Sequence, residues 1–160
     1  MILSVIFESI KCGVGILPAP FLWAYIFIRG KKSGIIGKNL IIEEAIMKTE
    51  KNQVWVYNKD IDLEVCGEGI ARKILAYSDD LMCVENHFET GAAGAMHHHP
   101  HTQITYVVSG KFEFTIGDEV KTVCAGDTML QINDIVHGCK CLEKGIILDF
   151  FTPMREDFVG

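Results

Sequence analysis

The chain has 160 residues, a net charge of −6 and six cysteines. That length suits one domain able to bury a core without covalent staples. Cys12, Cys66, Cys83, Cys124, Cys139 and Cys141 form no CxxC pair and no zinc-finger spacing, which points to reduced thiols in a cytoplasmic protein rather than a disulfide framework.

The acidic balance argues against a nucleic-acid partner, because grip on the phosphate backbone needs clustered Lys and Arg. The basic run is limited to Arg29, Lys31 and Lys32. Ahead of it, Val14 to Ile28 has the look of a membrane anchor or signal peptide. Its 15 residues, broken by Pro18 and Pro20, fall short of the roughly 20 apolar residues that span a bilayer. No small-residue cleavage site follows it. Residues 1–46 are apolar without a clean period and strand-like alternation begins after them, which predicts an N-terminal extension over 1–46 and a domain over 47–160. Glu43-Glu44-Ala45-Ile46-Met47 can also be encoded as GAGGAG, a short spacer and ATG, which reads as a bacterial ribosome-binding site and start codon. The expectation is that native translation begins at Met47; a membrane-surface segment and an ordinary extension packed on the domain are the alternatives.

From Ile70 to Phe151 short β-branched and aromatic runs alternate with turn residues, and no helical period is sustained. The pattern predicts an all-β sandwich or barrel. Its strands are expected over Ala71–Tyr77, Met82–Glu89, Thr102–Ser109, Lys111–Ile116, Glu119–Val123, Thr128–Gln131, His137–Cys141 and Ile146–Phe151. Ser109-Gly110 and Gly117-Asp118 read as tight hairpins, since glycine tolerates the positive φ such turns demand. Ala125-Gly126-Asp127 and Asn133-Asp134 mark two further turns.

Four of the six histidines fall within five positions, in the segment from Gly91 to Gly110. On an extended chain, residues two apart share a face, so His97 and His99 can present imidazoles side by side to one ion, and Gln103 keeps that parity. Imidazole suits zinc, copper, iron and nickel, and an amide oxygen adds a weaker neutral ligand. His137 could close the site from a different strand. Three histidines with open positions suit a catalytic metal better than a sealed structural one. His98 has the wrong parity and is expected at the surface. His101, displaced in phase by Pro100, is expected beside the site rather than on the ion. His87 is read as a hydrogen-bonded or exposed histidine. Cys139 and Cys141 share the parity of His137 but are read as buried, inert thiols.

Gly91, His97, His99, Gln103 and Gly110 resemble the first cupin motif, with glutamine at its usual acidic position. Gly126 and His137 resemble the second, with Ile132 and Asp134 where a proline and a glycine are usual. The histidine block ending in Gln103, taken with the segment LDFFTPMREDF from Leu148 to Phe158, is similar to the KdgF family of small cupins. The likeness runs from about Gly67 to Phe158.

This resemblance implies a cupin-type double-stranded β-helix, a jelly-roll barrel that assembles as a homodimer. It implies one divalent metal ion, whether nickel, zinc, iron or manganese, on His97, His99, Gln103 and His137. Asp149, Phe151 and Arg155 match the residues lining the family's catalytic site. The implied activity is metal-dependent opening of 4,5-unsaturated monouronates to linear 5-keto-4-deoxyuronate, a step in pectin and alginate breakdown. The partner is then a small anionic sugar, with no nucleic acid and no membrane. Asp149 would move the proton as the ring opens, and Arg155 would grip the carboxylate. The alternatives are a cupin dioxygenase and a non-catalytic metal- or sugar-binding cupin. From the residues alone, Asp149 could pair with a lysine, Phe151 could be core, and Arg155 could belong to a solvated charge run. Intact-mass measurement of protein made from the native gene is expected to give a chain starting at Met47; a chain starting at Met1 removes that expectation.

Overall fold

In the computed structural model, which describes residues 31–36, 39–44 and 46–159, nearly all regular structure is β-strand. Chain contacts divide the molecule into two units, Met1–Ala45 and Ile46–Gly160. In the first, β1 (Lys31–Ile36) and β2 (Asn39–Glu44) pair as an antiparallel hairpin. The segment Val14–Ile28 lies outside the described residues. Among the described residues no helix is long and apolar enough to cross a membrane.

The second unit holds β3 (Glu64–Gly67), β4 (Ile70–Tyr77), β5 (Met82–Phe88), β6 (Ala93–His97), β7 (Thr102–Ile116), β8 (Glu119–Cys124), β9 (Thr128–Gln131) and β10 (His137–Thr152). These strands are antiparallel in the order β3-β4-β5-β10-β7-β8, with β6 also on β10 and β9 also on β7. The all-β expectation holds. Strands β3 and β6 were not anticipated, because Glu64–Gly67 is short and Ala93–His97 carries no β-branched residue to announce it.

Ser109-Gly110 is not a hairpin turn, and this corrects the sequence reading. Residues 102–116 form one strand that pairs along its length with β10, and the register shifts between Cys141, Glu143 and Ile146. Gly110 (φ +84) sits at that irregularity, where an added Cβ would lie 2.5 Å from Gly145 Cα and 2.6 Å from the Glu143 carbonyl oxygen. Glycine is required here because two backbones cross closely at a bulge, as well as for the sign of φ. Gly117-Asp118 is a tight turn as expected, flanked by the pair Ile116↔Glu119. Asn133 and Asp134 both take φ +58, a left-handed conformation that short polar side chains tolerate, so Asp134 stands in without difficulty for a glycine.

Successive inward residues of β10 meet different surroundings. Ile147 packs with Phe88, Val107, Phe112, Phe114 and Cys141. Two residues on, Asp149 enters a polar layer with Gln103 and Thr105. Phe151 then joins Met82 and Val84 in a second apolar cluster. Burial of each large side chain stabilises the fold by about 1.5–3 kcal/mol. The edge-on packing of Phe88 on Phe112, with centroids 5.5 Å apart, adds about 0.5–1.5 kcal/mol. A polar layer is thus held between two apolar ones.

Gly110→Ala is expected to lower stability by about 2–4 kcal/mol, the sum of backbone strain and overpacking. Gly126→Ala, at φ +95 but with nothing within 4 Å of the added carbon, should cost about 1–2 kcal/mol. Denaturant unfolding of the two variants checks the order, and equal losses would contradict the close crossing.

Candidate metal centre

Strand β6 ends on His97, β10 begins on His137, and the two are direct antiparallel partners. The connection from β6 to β7 then brings His99 inward, where it is buried. Ring centroids are 4.4 Å apart for His97 and His137, 5.0 Å for His99 and His137, and 5.6 Å for His97 and His99. One ligand nitrogen from each lies within 4.8 Å of the others. The structure therefore brings together the three histidines that the sequence nominated from two separated stretches.

The rings are also oriented for an ion. His97 Nδ1 and His137 Nδ1 each donate to a backbone carbonyl two residues back, Ala95 and Ile135, at 2.8 Å. Such bonds fix the tautomer and leave Nε2 with its lone pair. His137 Nε2 is buried with no partner among the described residues, an orphan that a bound cation would satisfy. Burial pushes the imidazoles of His99 and His137 below the usual histidine range, favouring the neutral form that ligates metal. The donor set fits a divalent ion.

Gln103, on β7, completes the group. Its Oε1 lies 2.9 Å from His99 Nε2, while its Nε2 donates to Asp149 Oδ1 at 2.8 Å and to Thr105 Oγ1 at 3.0 Å. The two acceptors fix which end of the amide faces the histidines. Asp149 also accepts from Thr105 Oγ1 at 2.5 Å and from Asn86 Nδ2 at 2.8 Å. Burial pushes its carboxyl up to about 6, against the opposing pull of those hydrogen bonds. Among the described residues no lysine is bonded to it, so the ion-paired alternative finds no support there. Gln131, fully buried, reaches Thr105 Oγ1 at 3.4 Å.

The remaining histidines fall where the sequence put them; of the two cysteines read as buried, Cys141 is buried and Cys139 half-buried. His98 is exposed and pairs with Asp134 Oδ1 at 2.9 Å. His101 lies beside His99, with centroids 5.4 Å apart. His87 bonds Glu85 at 2.7 Å. The described cysteines, which exclude Cys12, are free, and burial pushes the Cys139 thiol up to about 12, so it stays protonated.

A cavity of about 1020 Å³ opens beside this group, lined among others by His97, Gln103, His137, Asp149, Phe151 and Arg155. Phe151 is both core and wall: it is buried and meets His99 edge-on at 5.6 Å. Arg155 reaches the cavity, but its Nε and Nη2 donate to Asp157 at 2.8 and 2.7 Å. The edge expected to grip a substrate carboxylate is therefore engaged within the chain. Arg72, Asn86 and Phe158 also line the cavity, and the sequence reading missed them together with Thr105 and Gln131. Asn86 had a signal, since it shares parity with the buried Val84 and Phe88 on β5.

A family model described as the cupin domain matches residues 84–150. The pectin degradation protein KdgF of Dickeya dadantii is 44% identical over 98 residues, covering 60% of this chain and 89% of that relative. The structure of KdgF from a Halomonas species superposes with a TM-score of 0.65 at 36% identity, over 67% of this chain and 99% of that one. An RmlC-like cupin from Shewanella frigidimarina gives 0.66 at 34% identity, over 69% and 99%. These matches agree with the jelly-roll reading of the sheet, and the chain belongs to the KdgF family of cupins.

Proposed function

We propose that this protein acts in pectin or alginate breakdown by opening 4,5-unsaturated monouronates to linear 5-keto-4-deoxyuronate, an isomerisation with no redox change. The observation that carries the reading is the buried relay from His99 through Gln103 to Asp149 at the wall of one cavity, in a chain of the KdgF family. It ties an ion-binding group to a proton-transfer group at hydrogen-bond distance.

A divalent cation held by three neutral imidazoles and a neutral amide would keep its full charge and supply Lewis acidity toward the oxygens of an anionic sugar. Zinc, nickel, iron and manganese all suit such donors. In the sugar, the C1 hydroxyl gives up its proton and C1 becomes the aldehyde as its bond to the ring oxygen breaks, the ring oxygen takes up a proton as the enol at C5, and C4 gains a proton as the enol loses its own and C5 becomes the ketone. Asp149 carries that proton between the enol oxygen and C4. Asn86, Thr105 and Gln103 hold its carboxylate in one orientation. Phe151 closes the wall against water, and Arg155 adds positive charge at the cavity for a negatively charged substrate.

A cytoplasmic homodimer belongs to the same reading. Free thiols at Cys66, Cys83, Cys124, Cys139 and Cys141 suit a reducing compartment. Ile104, Tyr106, Val108 and Leu130 leave an apolar outer face on β7 and β9 of the kind that a second copy would cover.

Incubating metal-loaded protein with an unsaturated monouronate should abolish the ultraviolet absorbance of its double bond. Asp149→Asn should slow that loss about 100-fold or more while metal content stays unchanged; wild-type activity in that variant would remove the assigned role. His137→Ala should instead lose the metal by elemental analysis. Oxygen uptake during turnover would favour an oxygenase, and saturable binding without turnover a sugar-binding cupin. Light scattering is expected to give twice the chain mass, and a monomer would remove the dimer.

A further inference from the structure

The cavity carries a guanidinium for which the proposed chemistry has no task. Arg72 lies on β4 directly opposite Asn86, the residue whose amide holds Asp149. Its guanidinium carbon is 4.2 Å from the centre of the Phe158 ring, and that of Arg155 is 4.4 Å from the same centre. One aromatic side chain thus supports both cations.

The two arginines differ in what occupies their hydrogen-bonding edges. Arg155 is closed off by Asp157 through a bidentate pair. Arg72 is not. Its Nε is buried and has no hydrogen-bond partner among the described residues, and its ion-pair partner, the 39% exposed Glu64 side chain, stands 3.8 Å away, beyond hydrogen-bond reach. A buried N–H of this kind is unfavourable until something supplies an acceptor. Hydrogen bonds run from His99 to Gln103, Asp149 and Asn86, the last three at the cavity wall, and Arg72 is the next neighbour across the ladder. A sugar laid along this wall meets the ion-binding end, then the acid, then a guanidinium whose Nε has no hydrogen-bond partner among the described residues.

We propose that Arg72 is the residue that recognises the acidic group of the substrate, its free edge taking the carboxylate while Phe158 holds the plane of the guanidinium. Arginine suits this task because its planar fork matches a carboxylate in bidentate fashion, and a fork already stacked on a ring loses little freedom on binding. Arg155, fixed by Asp157, then contributes field at the cavity rather than grip. The inference rests on the uronate reading above and assigns its specificity to a side chain outside the histidine and C-terminal blocks.

The test is steady-state kinetics of metal-loaded wild type, Arg72→Met and Arg72→Lys on a 4,5-unsaturated monouronate and on its uncharged C6 amide. Melting temperature and metal content are measured for each protein. On the acid, Arg72→Met should raise KM about 10- to 100-fold with kcat within about threefold of wild type, and Arg72→Lys should fall between. On the amide, all three should agree within about twofold. An unchanged KM on the acid, or equal losses on acid and amide, overturns the proposal. Should Arg72→Met fail to fold, the Arg72→Lys comparison decides by the same criteria. Wild type that turns over neither compound removes the ring-opening reading and this inference with it; an active wild type matched by its Arg72 variants on the acid removes the inference alone.

Discussion

The amide of Gln103 joins the two halves of the site. Its nitrogen is committed to Asp149 and Thr105, so its oxygen faces His99. An acidic side chain at this position could not do the same. It would set a second carboxylate against Asp149 in a buried layer, and two such groups in contact cannot both stay ionised. The departure from the usual cupin motif therefore follows from the presence of Asp149. The negative charge absent at position 103 stands instead on Asp149, the acceptor of its amide nitrogen.

The fold serves this arrangement through β10. That strand pairs with β5, β6 and β7, and on successive inward positions it carries His137, an apolar stretch, Asp149 and Phe151. Its pairing with β6 sets His97 against His137. Its pairing with β7 sets Phe151 against Gln103 and Asp149 against Thr105. Apolar clusters on either side of the polar layer keep water from competing for the hydrogen bonds within it.

Much of this was legible in the residues. Period-two alternation exposed most strands, and shared parity set His97, His99 and Gln103 on one face, whereas Asp149 and Phe151 were named through the family resemblance. Parity along one strand does not say which residue of another strand stands opposite, so Arg72, Asn86, Thr105 and Gln131 stayed hidden until the register was known. Gly110 misled because glycine after a strand suggests a turn, whereas here it allows two strands to cross. Ala93–His97 escaped notice because small residues carry no strand signature of their own. Arg155, named only through the family resemblance, lines the cavity, but nothing in the sequence pattern marked Asp157 as the acceptor that engages it.

The central position of β10 also bears on how the barrel comes to exist. Its partners on β5 lie some sixty positions earlier in the chain, so the pairing that completes the interior requires closing a long loop before any compensating contact forms. Strands β5, β6 and β7 must wait with open edges until β10 arrives between them. A topology of this kind assembles slowly for its size, and the half-made sheet is the species most exposed to wrong pairing with a neighbouring molecule.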